Sequence, residues 1–112
     1  MKSKPVIPRA LAVRDADEAI AYLISEHAHE AALGFVDELE RAYRQISRHP
    51  ASGSLRYAFE LGIPGLRHVT LKRYSYLVFY QDRADHLDVW RVLHATRDIP
   101  AWLRLDVDTE EG

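Results

Sequence analysis

The spacing of apolar residues changes once along the chain, and this change limits the folds that the sequence can form. Between residues 12 and 46, apolar side chains recur every three or four positions, which is typical of amphipathic helices. Between residues 66 and 95 they recur at every second position, which is typical of strands that bury one face. A helical half followed by a strand-rich half predicts an α+β domain.

The helical half divides into two helices. The first has its apolar stripe over residues 12–24 and begins either near Arg9 or at Asp15, where a capping box-like start is possible. The early apolar positions favour the start near Arg9. The second helix has its stripe over residues 32–46 and ends before Pro50. Two adjacent amphipathic helices predict a helical hairpin laid on an apolar surface.

The strand-rich half predicts three strands, over residues 66–73, 74–82 and 86–95. A short strand is predicted near the N-terminus, over residues 5–7, where two prolines place it at a sheet edge. Residues 50–65 are rich in proline and glycine and predict a loop. The order β-α-α-β-β-β therefore predicts an antiparallel sheet with the helical hairpin on one face and the other face open to a partner.

Size and charge limit the functional classes. The 112 residues predict a single domain over residues 1–112, and the absence of cysteine excludes disulfides and thiolate sites. The net charge is −2, and four of the acids lie in residues 106–112, a tail that is expected to fray. The rest of the chain carries about +2, which is less than nucleic-acid-gripping proteins usually have. No segment resembles a signal peptide or a membrane span, so a cytoplasmic protein is expected.

Five stretches of the sequence, in this order and with these gaps, carry a family resemblance. They are the positions Ala12, Asp15, Ala19 and Tyr22 and the segments "AALGFVDELERAYRQISRHPASG", "GLRHV", "YLVFY" and "VWRVLHATRDIPAWL". On these stretches the chain resembles the RelE/ParE family of bacterial type II toxins, and the resemblance covers about residues 5–103. The resemblance implies two possible modes. RelE-like members are ribonucleases that cut messenger RNA in the ribosome, and ParE-like members bind and poison DNA gyrase.

The candidate catalytic residues are few. Arg67 matches the arginine that the family carries on its second strand, Arg97 lies near the arginine that follows the last strand, and His94 is the one candidate base. A ribonuclease that uses the 2′-hydroxyl needs a base, cations around the phosphate and an acid for the leaving oxygen. RelE-like enzymes carry several lysines before the second strand and a tyrosine near the C-terminus. This chain has no lysine there, and it has Trp102 where the tyrosine is expected.

Each of these residues also has a structural interpretation. His94 is interpreted first as a strand-end histidine that makes one hydrogen bond, and Asp98 as a partner of Arg97 or a cap of the following turn. Arg67 either grips a phosphate or anchors the sheet to carboxylates of a neighbouring helix, and the second interpretation is preferred. No catalytic residue is therefore favoured, and the ribonuclease set of His94, Arg67 and Arg97 stays as the alternative.

The segment "EHAHE", residues 26–30, contains two histidines with flanking glutamates. The metalloprotease pattern needs histidines four residues apart on a helix, and these are two apart. We therefore interpret the segment as a solvated turn between the helices and predict no metal and no cofactor.

The sequence favours a ParE-like toxin that inhibits DNA gyrase by binding it. The alternatives are a RelE-like, ribosome-dependent endoribonuclease and an inactive, toxin-like interaction module. In each case the family resemblance implies a cognate antitoxin, expected to have an amphipathic helix and an acidic tail and to form a hetero-oligomer with the toxin. It would lie across the helical hairpin or the open sheet.

Overall fold

A computed structural model describes the backbone of residues 3–110 and the side chains of residues 3–104. The α+β fold class is confirmed. The elements in chain order are β1 (Val6–Pro8), α1 (Ala10–Ser25), α2 (His29–Arg48), a 3₁₀ turn (Pro50–Ser52), α3 (Arg56–Leu61), β2 (Leu66–Leu71), β3 (Tyr76–Asp82), β4 (Leu87–His94) and α4 (Ile99–Glu110).

The sheet has the order β1-β4-β3-β2. Strands β2, β3 and β4 pair antiparallel, as predicted, and β1 pairs parallel to β4 with Val6 opposite Leu87. The edge position of β1 is confirmed. Because the helical hairpin and two further strands lie between β1 and β4 in the chain, no tight turn joins these two strands, and a parallel pairing is possible. Strand pairing stops two residues earlier in β2 than the alternation predicts, because the chain reverses at Ser75 with a φ of 56°.

Helix α1 begins at Ala10, so the earlier of the two predicted starts is correct. The Arg9 amide donates to the carbonyl of Val89 before the chain leaves the sheet, and this hydrogen bond fixes where the helix can begin. The turn between the helices covers residues 26–28, and His27 has the left-handed φ of 58° that lets the chain reverse. The solvated-turn interpretation of "EHAHE" is therefore correct for its first three residues, and His29 opens α2.

The helical hairpin covers one face of the sheet. Small residues on α1 and larger ones on α2 pack on the inward side chains of β3 and β4. The buried members of this first core are Ala12, Ala16, Ala19, Phe35, Leu39, Ala42, Ile46, Leu71, Val78, Tyr80, Leu87, Val89 and Val92. The alanines let α1 lie close to the sheet, and Phe35 fills the space between α2 and the tyrosines of the first β-hairpin.

The second face of the sheet is not open, and that prediction is wrong. Residues 50–65 contain α3 rather than loop alone, and α4 follows β4. Both helices pack on this face around a second core, whose buried members are Ala58, Leu66, Phe79, Trp90, Leu93, Ile99 and Leu103. Strand β4 is consequently buried on both sides along nearly its whole length.

A β-bulge in β4 changes the direction of its side chains. Tyr80 lies opposite Val89 and Phe79 lies opposite Arg91, so Trp90 is an extra residue between them. Bulges bend a strand and redirect side chains near its edge. This one places the Arg91 guanidinium beside α1 (see below). The backbone of α4 runs to Glu110, but the side chains from residue 105 onward lie outside the described part, so the frayed tail over residues 106–112 and the single domain over 1–112 stay predictions.

Candidate functional site

The three predicted site residues lie in two separate places. His94 is opposite Tyr76 on β3, and Arg67 is opposite Tyr80 on the same strand. The two positions are therefore four residues apart along β3 and lie on the two strands that flank it. Strand geometry puts their Cα atoms about 16 Å apart, from about 3.3 Å per residue and about 4.8 Å per strand. Arg97 follows β4 and lies near His94, so only these two share a site.

The Arg67 guanidinium binds main-chain carbonyls. Its Nη1 donates to the oxygens of Ala51 and Gly53 at 3.2 and 2.8 Å, and beside it the Tyr80 hydroxyl donates to the Pro50 carbonyl and accepts from the Gly53 amide. The anchoring role of Arg67 was predicted, but its partners are main-chain carbonyls and not the carboxylates that were expected. Arg67 and Tyr80 hold the 3₁₀ turn against the sheet. The Gly53 backbone approaches Tyr80 so closely that a Cβ there would lie 2.7 Å from the hydroxyl oxygen.

His94 is held by the turn that follows it. Its Nδ1 accepts the Thr96 amide at 3.2 Å and lies 2.8 Å from the Thr96 hydroxyl oxygen. An accepting Nδ1 leaves the proton of the neutral ring on Nε2. The ring packs edge-on against Tyr76 with 5.0 Å between the centroids. Its orientation is therefore fixed, with Nε2 as the nitrogen available to another group.

Arg97 lies over Trp102 rather than against Asp98. Its guanidinium carbon is 4.6 Å from the centroid of the indole ring, and that of Arg91 is 5.2 Å from the same ring. Asp98 caps α4, because its carboxylate accepts the Ala101 amide, so the capping interpretation is the correct one. Trp102 thus holds the exposed Arg97 side chain in place, in the position where a RelE-like enzyme would have its tyrosine.

A buried ion pair between α1 and β4 was missed at the sequence level. Arg91 donates from Nε and Nη2 to the two carboxylate oxygens of Asp15, both at 2.8 Å, and Asp15 also accepts the Val92 amide at 3.0 Å. Both side chains are buried, at 5% and 9% exposure. The Val92 amide faces the part of β4 that β1 is too short to pair. Asp15 thus satisfies an unpaired strand edge and joins α1 to β4. In the sequence, the only sign of this ion pair was an arginine within the apolar run of β4.

These groups line a cleft between α1, the end of β4 and α4, with a volume of about 190 Å³. We call it the α1–α4 cleft; its polar and aromatic lining consists of Asp15, Glu18, Tyr22, Tyr76, His94, Arg97 and Trp102. Burial raises the pKa of the Tyr76 hydroxyl above its ordinary value; the Arg97 charge opposes the rise, and Asp15 and Tyr22 add to it. The hydroxyl is therefore protonated at neutral pH and can donate.

A second surface feature is an apolar groove on the outer side of the helical hairpin. We call it the hairpin groove; it has a volume of about 250 Å³ and is lined by Ile20, Ile24, His29, Ala32, Leu33 and Val36. Leu33 is 69% exposed, and Ile24 and Val13 on α1 are also exposed. Exposed apolar side chains that line one groove mark a site for a partner more often than scattered ones do.

The structure offers no metal centre in the part that it describes. Among residues 3–104, no three histidine, aspartate or glutamate side chains are grouped so as to hold an ion. No described helix combines the length and the apolar character that crossing a bilayer requires.

His68 on β2 predicts a pH dependence of stability. Its ring lies between Tyr57 and Phe79, and burial, followed by the Arg56 charge, lowers its pKa below 6.5. Between the folded and unfolded pKa values the unfolded chain binds more protons, so stability rises with pH through this window and falls as the pH drops below about 6.5. His68→Phe keeps a ring but cannot titrate. Urea unfolding from pH 5 to 8 is expected to show a smaller slope for this variant, and equal slopes would contradict the assignment.

Comparison with known proteins identifies the class. Residues 6–99 match the family described as the ParE toxin of the type II toxin–antitoxin system parDE. A solved structure titled as the chromosomal ParDE system from P. aeruginosa has the same fold, with a TM-score of 0.67 at 16% identity over 82% of this chain and 96% of that one. No curated protein sequence matches the chain.

The fold and the family match define the toxin component of a type II toxin–antitoxin system. Because the match covers most of the chain, the chain belongs to the ParE toxin family, and the resemblance to ParE-like toxins is confirmed.

Proposed function

We propose that the chain is a cytoplasmic toxin that inhibits DNA gyrase by binding it, and that a cognate antitoxin neutralises it in a hetero-oligomer. Membership of the ParE toxin family supports the target, since ParE-like members poison gyrase. The observation that carries the choice of binding over RNA cleavage is the separation of Arg67 from His94 and Arg97.

Cleavage through a 2′-hydroxyl needs its base, acid and phosphate-binding cations within hydrogen-bond reach of one phosphate. The Cα atoms of His94 and Arg67 are about 16 Å apart by strand geometry, so a phosphate held beside His94 is not also held by Arg67 in its observed position. The Arg67 guanidinium is also engaged by two carbonyls. The α1–α4 cleft sets His94 beside a single lining cation, Arg97, and two tyrosine hydroxyls. Its described lining also carries Asp15 and Glu18, whose charges oppose a phosphate. This arrangement supports a surface that binds a protein rather than one that cleaves a transcript.

The antitoxin is proposed to place an amphipathic helix in the hairpin groove. The second sheet face is covered by α3 and α4, so the hairpin is the better of the two docking places that the sequence allowed. The groove offers apolar residues on both helices, with Leu33 and Ile24 exposed at its rim. A helix that lays an apolar stripe into such a groove is a common mode of peptide recognition.

A gyrase assay tests the proposed activity. Purified toxin is added to gyrase and relaxed plasmid, and supercoiling is followed with and without the protein encoded beside the gene. We expect concentration-dependent loss of supercoiling and accumulation of linear DNA, both reversed by the antitoxin. Unimpaired supercoiling together with transcript cleavage by the purified toxin would favour the ribonuclease instead. Neither activity, with tight antitoxin binding, would favour an inactive interaction module.

Leu33→Glu tests the docking place of the antitoxin. A charge in the hairpin groove must be desolvated when a helix binds, so we expect the affinity for the antitoxin to fall by about tenfold or more. Phe59→Glu is the matched control, because Phe59 is 81% exposed and lies on α3, away from the groove. Titration calorimetry with each variant gives the affinities. Equal losses for both variants, or a loss for Phe59→Glu alone, would place the antitoxin elsewhere.

A further inference from the structure

We propose that the α1–α4 cleft binds a carboxylate side chain of the partner polypeptide, so that the antitoxin is held by an acidic anchor as well as by its helix. This inference rests on the proposed function for the identity of the partner, but the chemistry of the site is argued from the cleft alone. The cleft lies on the flank of α1 opposite the hairpin groove. The assignment to the family does not depend on the cleft.

Hydrogen-bond donors converge on the cleft without partners. Among the side chains that the structure describes, none makes a hydrogen bond with the Tyr22 or Tyr76 hydroxyl or with the Arg97 guanidinium. His94 uses only Nδ1, which leaves Nε2–H as a further donor. Arg97 is held over Trp102 at 4.6 Å, so this cation is positioned before a ligand arrives. Preorganised donors around a cation suit a carboxylate.

The acids of the cleft decide between a carboxylate and a phosphate strand. Asp15 is paired with Arg91 through two hydrogen bonds, so the Arg91 charge compensates much of its own. Glu18 is exposed and has no ion-pair partner among the described residues. A cleft lined by one acid and one arginine, each without an ion-pair partner among the described residues, tolerates a single negative charge but repels a polyanion. A polypeptide carboxylate therefore fits the cleft better than the backbone of a nucleic acid.

The cleft and the hairpin groove can be reached by one polypeptide. On α1, Ile20 and Ile24 line the groove, whereas Glu18 and Tyr22 line the cleft on the other flank. A helix is about 10–12 Å across with its side chains. An extended chain covers about 3.3–3.6 Å per residue, and half the circumference of such a helix is about 16–19 Å, so about five or six residues carry it around α1 from one flank to the other. Tyr22, 62% exposed, lines the cleft where this path ends.

The decisive experiment compares two opposite substitutions in the complex with the antitoxin. Arg97→Gln is expected to weaken the affinity about tenfold or more, because a charge-assisted hydrogen bond is lost. Glu18→Gln removes the competing acid and is expected to strengthen the affinity, by about twofold to fivefold. Arg104→Gln, at an exposed arginine of α4, is the matched control and is expected to change nothing. If Arg97→Gln strengthens the affinity and Glu18→Gln weakens it, the occupant of the cleft is a cation and the proposal is overturned.

A second measurement does not need the antitoxin. The free toxin is titrated with acetyl-glutamate-N-methylamide, with the glutamine analogue and with inorganic phosphate, and the Thr96 amide and Trp102 indole signals are followed by NMR. We expect saturable shifts for the glutamate probe only, with a Kd on the order of 1–10 mM, and their loss in Arg97→Gln. Equal shifts for glutamate and glutamine, or stronger binding of phosphate, overturn the proposal. Binding of the glutamate probe without any gyrase inhibition keeps the site and rejects the proposed function.

Discussion

Asp15→Ala is expected to lower the free energy of unfolding by about 3–5 kcal/mol, because it removes the carboxylate that binds the buried Arg91 guanidinium through two hydrogen bonds. The same change removes the acceptor of the Val92 amide, which lies beyond the three residues of β4 that pair with β1. Urea unfolding followed by circular dichroism measures the loss. For a domain of this size, such a change is a large fraction of the total stability.

The matched control for this prediction is Asp17→Ala. Asp17 lies on the same helix and is exposed, and the change removes the same carboxylate. We expect its effect to stay within about 0.5 kcal/mol. The double variant Asp15→Leu with Arg91→Leu removes both charges and is expected to be more stable than Asp15→Ala alone. A similar small loss for Asp15→Ala and Asp17→Ala would show that the pair contributes little.

Leu103→Ala is expected to lower the free energy of unfolding by about 2–5 kcal/mol, because it opens a cavity in the core beneath α4. Leu103 is fully buried, at 0% exposure, among Phe79, Trp90 and Ile99. The change tests the covered second face of the sheet directly. If that face were open, as the sequence led us to expect, α4 would be detached and the substitution would cost almost nothing.

Leu33→Ala provides the control for Leu103→Ala, since it removes the same atoms from a largely exposed side chain. We expect its effect on unfolding to lie within about 0.5 kcal/mol. The difference in the free energy of unfolding between the two variants, measured in the same urea series, gives the contribution of burying Leu103 beneath α4. Equal losses would mean that the second core does not depend on Leu103.

The helical hairpin and the positions of the strands along the chain could be predicted because their signals are local. Residues 32–46 carry an apolar stripe at helical spacing, and the observed helix covers them. The alternation in residues 76–80 separates Tyr76, Val78 and Tyr80 from Leu77 and Phe79, and the two sets lie in different cores. Helix α3 was missed, because six residues between proline and glycine give too short a pattern to distinguish from a loop.

The candidate site was predicted only in part. His94 and Arg97 lie together because they are three residues apart after one strand, and a turn keeps such neighbours close. Arg67 was grouped with them by family position, although two strand spacings and four residues of β3 lie between them. The distance depends on register, which no single strand encodes. Asp15 and Arg91 are 76 residues apart, and neither segment shows that the other will neutralise it.

By itself the sequence determined the helical hairpin, the four strands and the family that the chain resembles, since these depend on residue types at short, fixed spacings. Only the tertiary structure decided that α3 and α4 cover the second sheet face, that a bulge at Trp90 turns Arg91 toward Asp15, and that Arg67 stands apart from His94. These outcomes arise from contacts between distant segments. Their energy is set by packing and charge pairing once the chain is assembled, and a local pattern cannot reveal them.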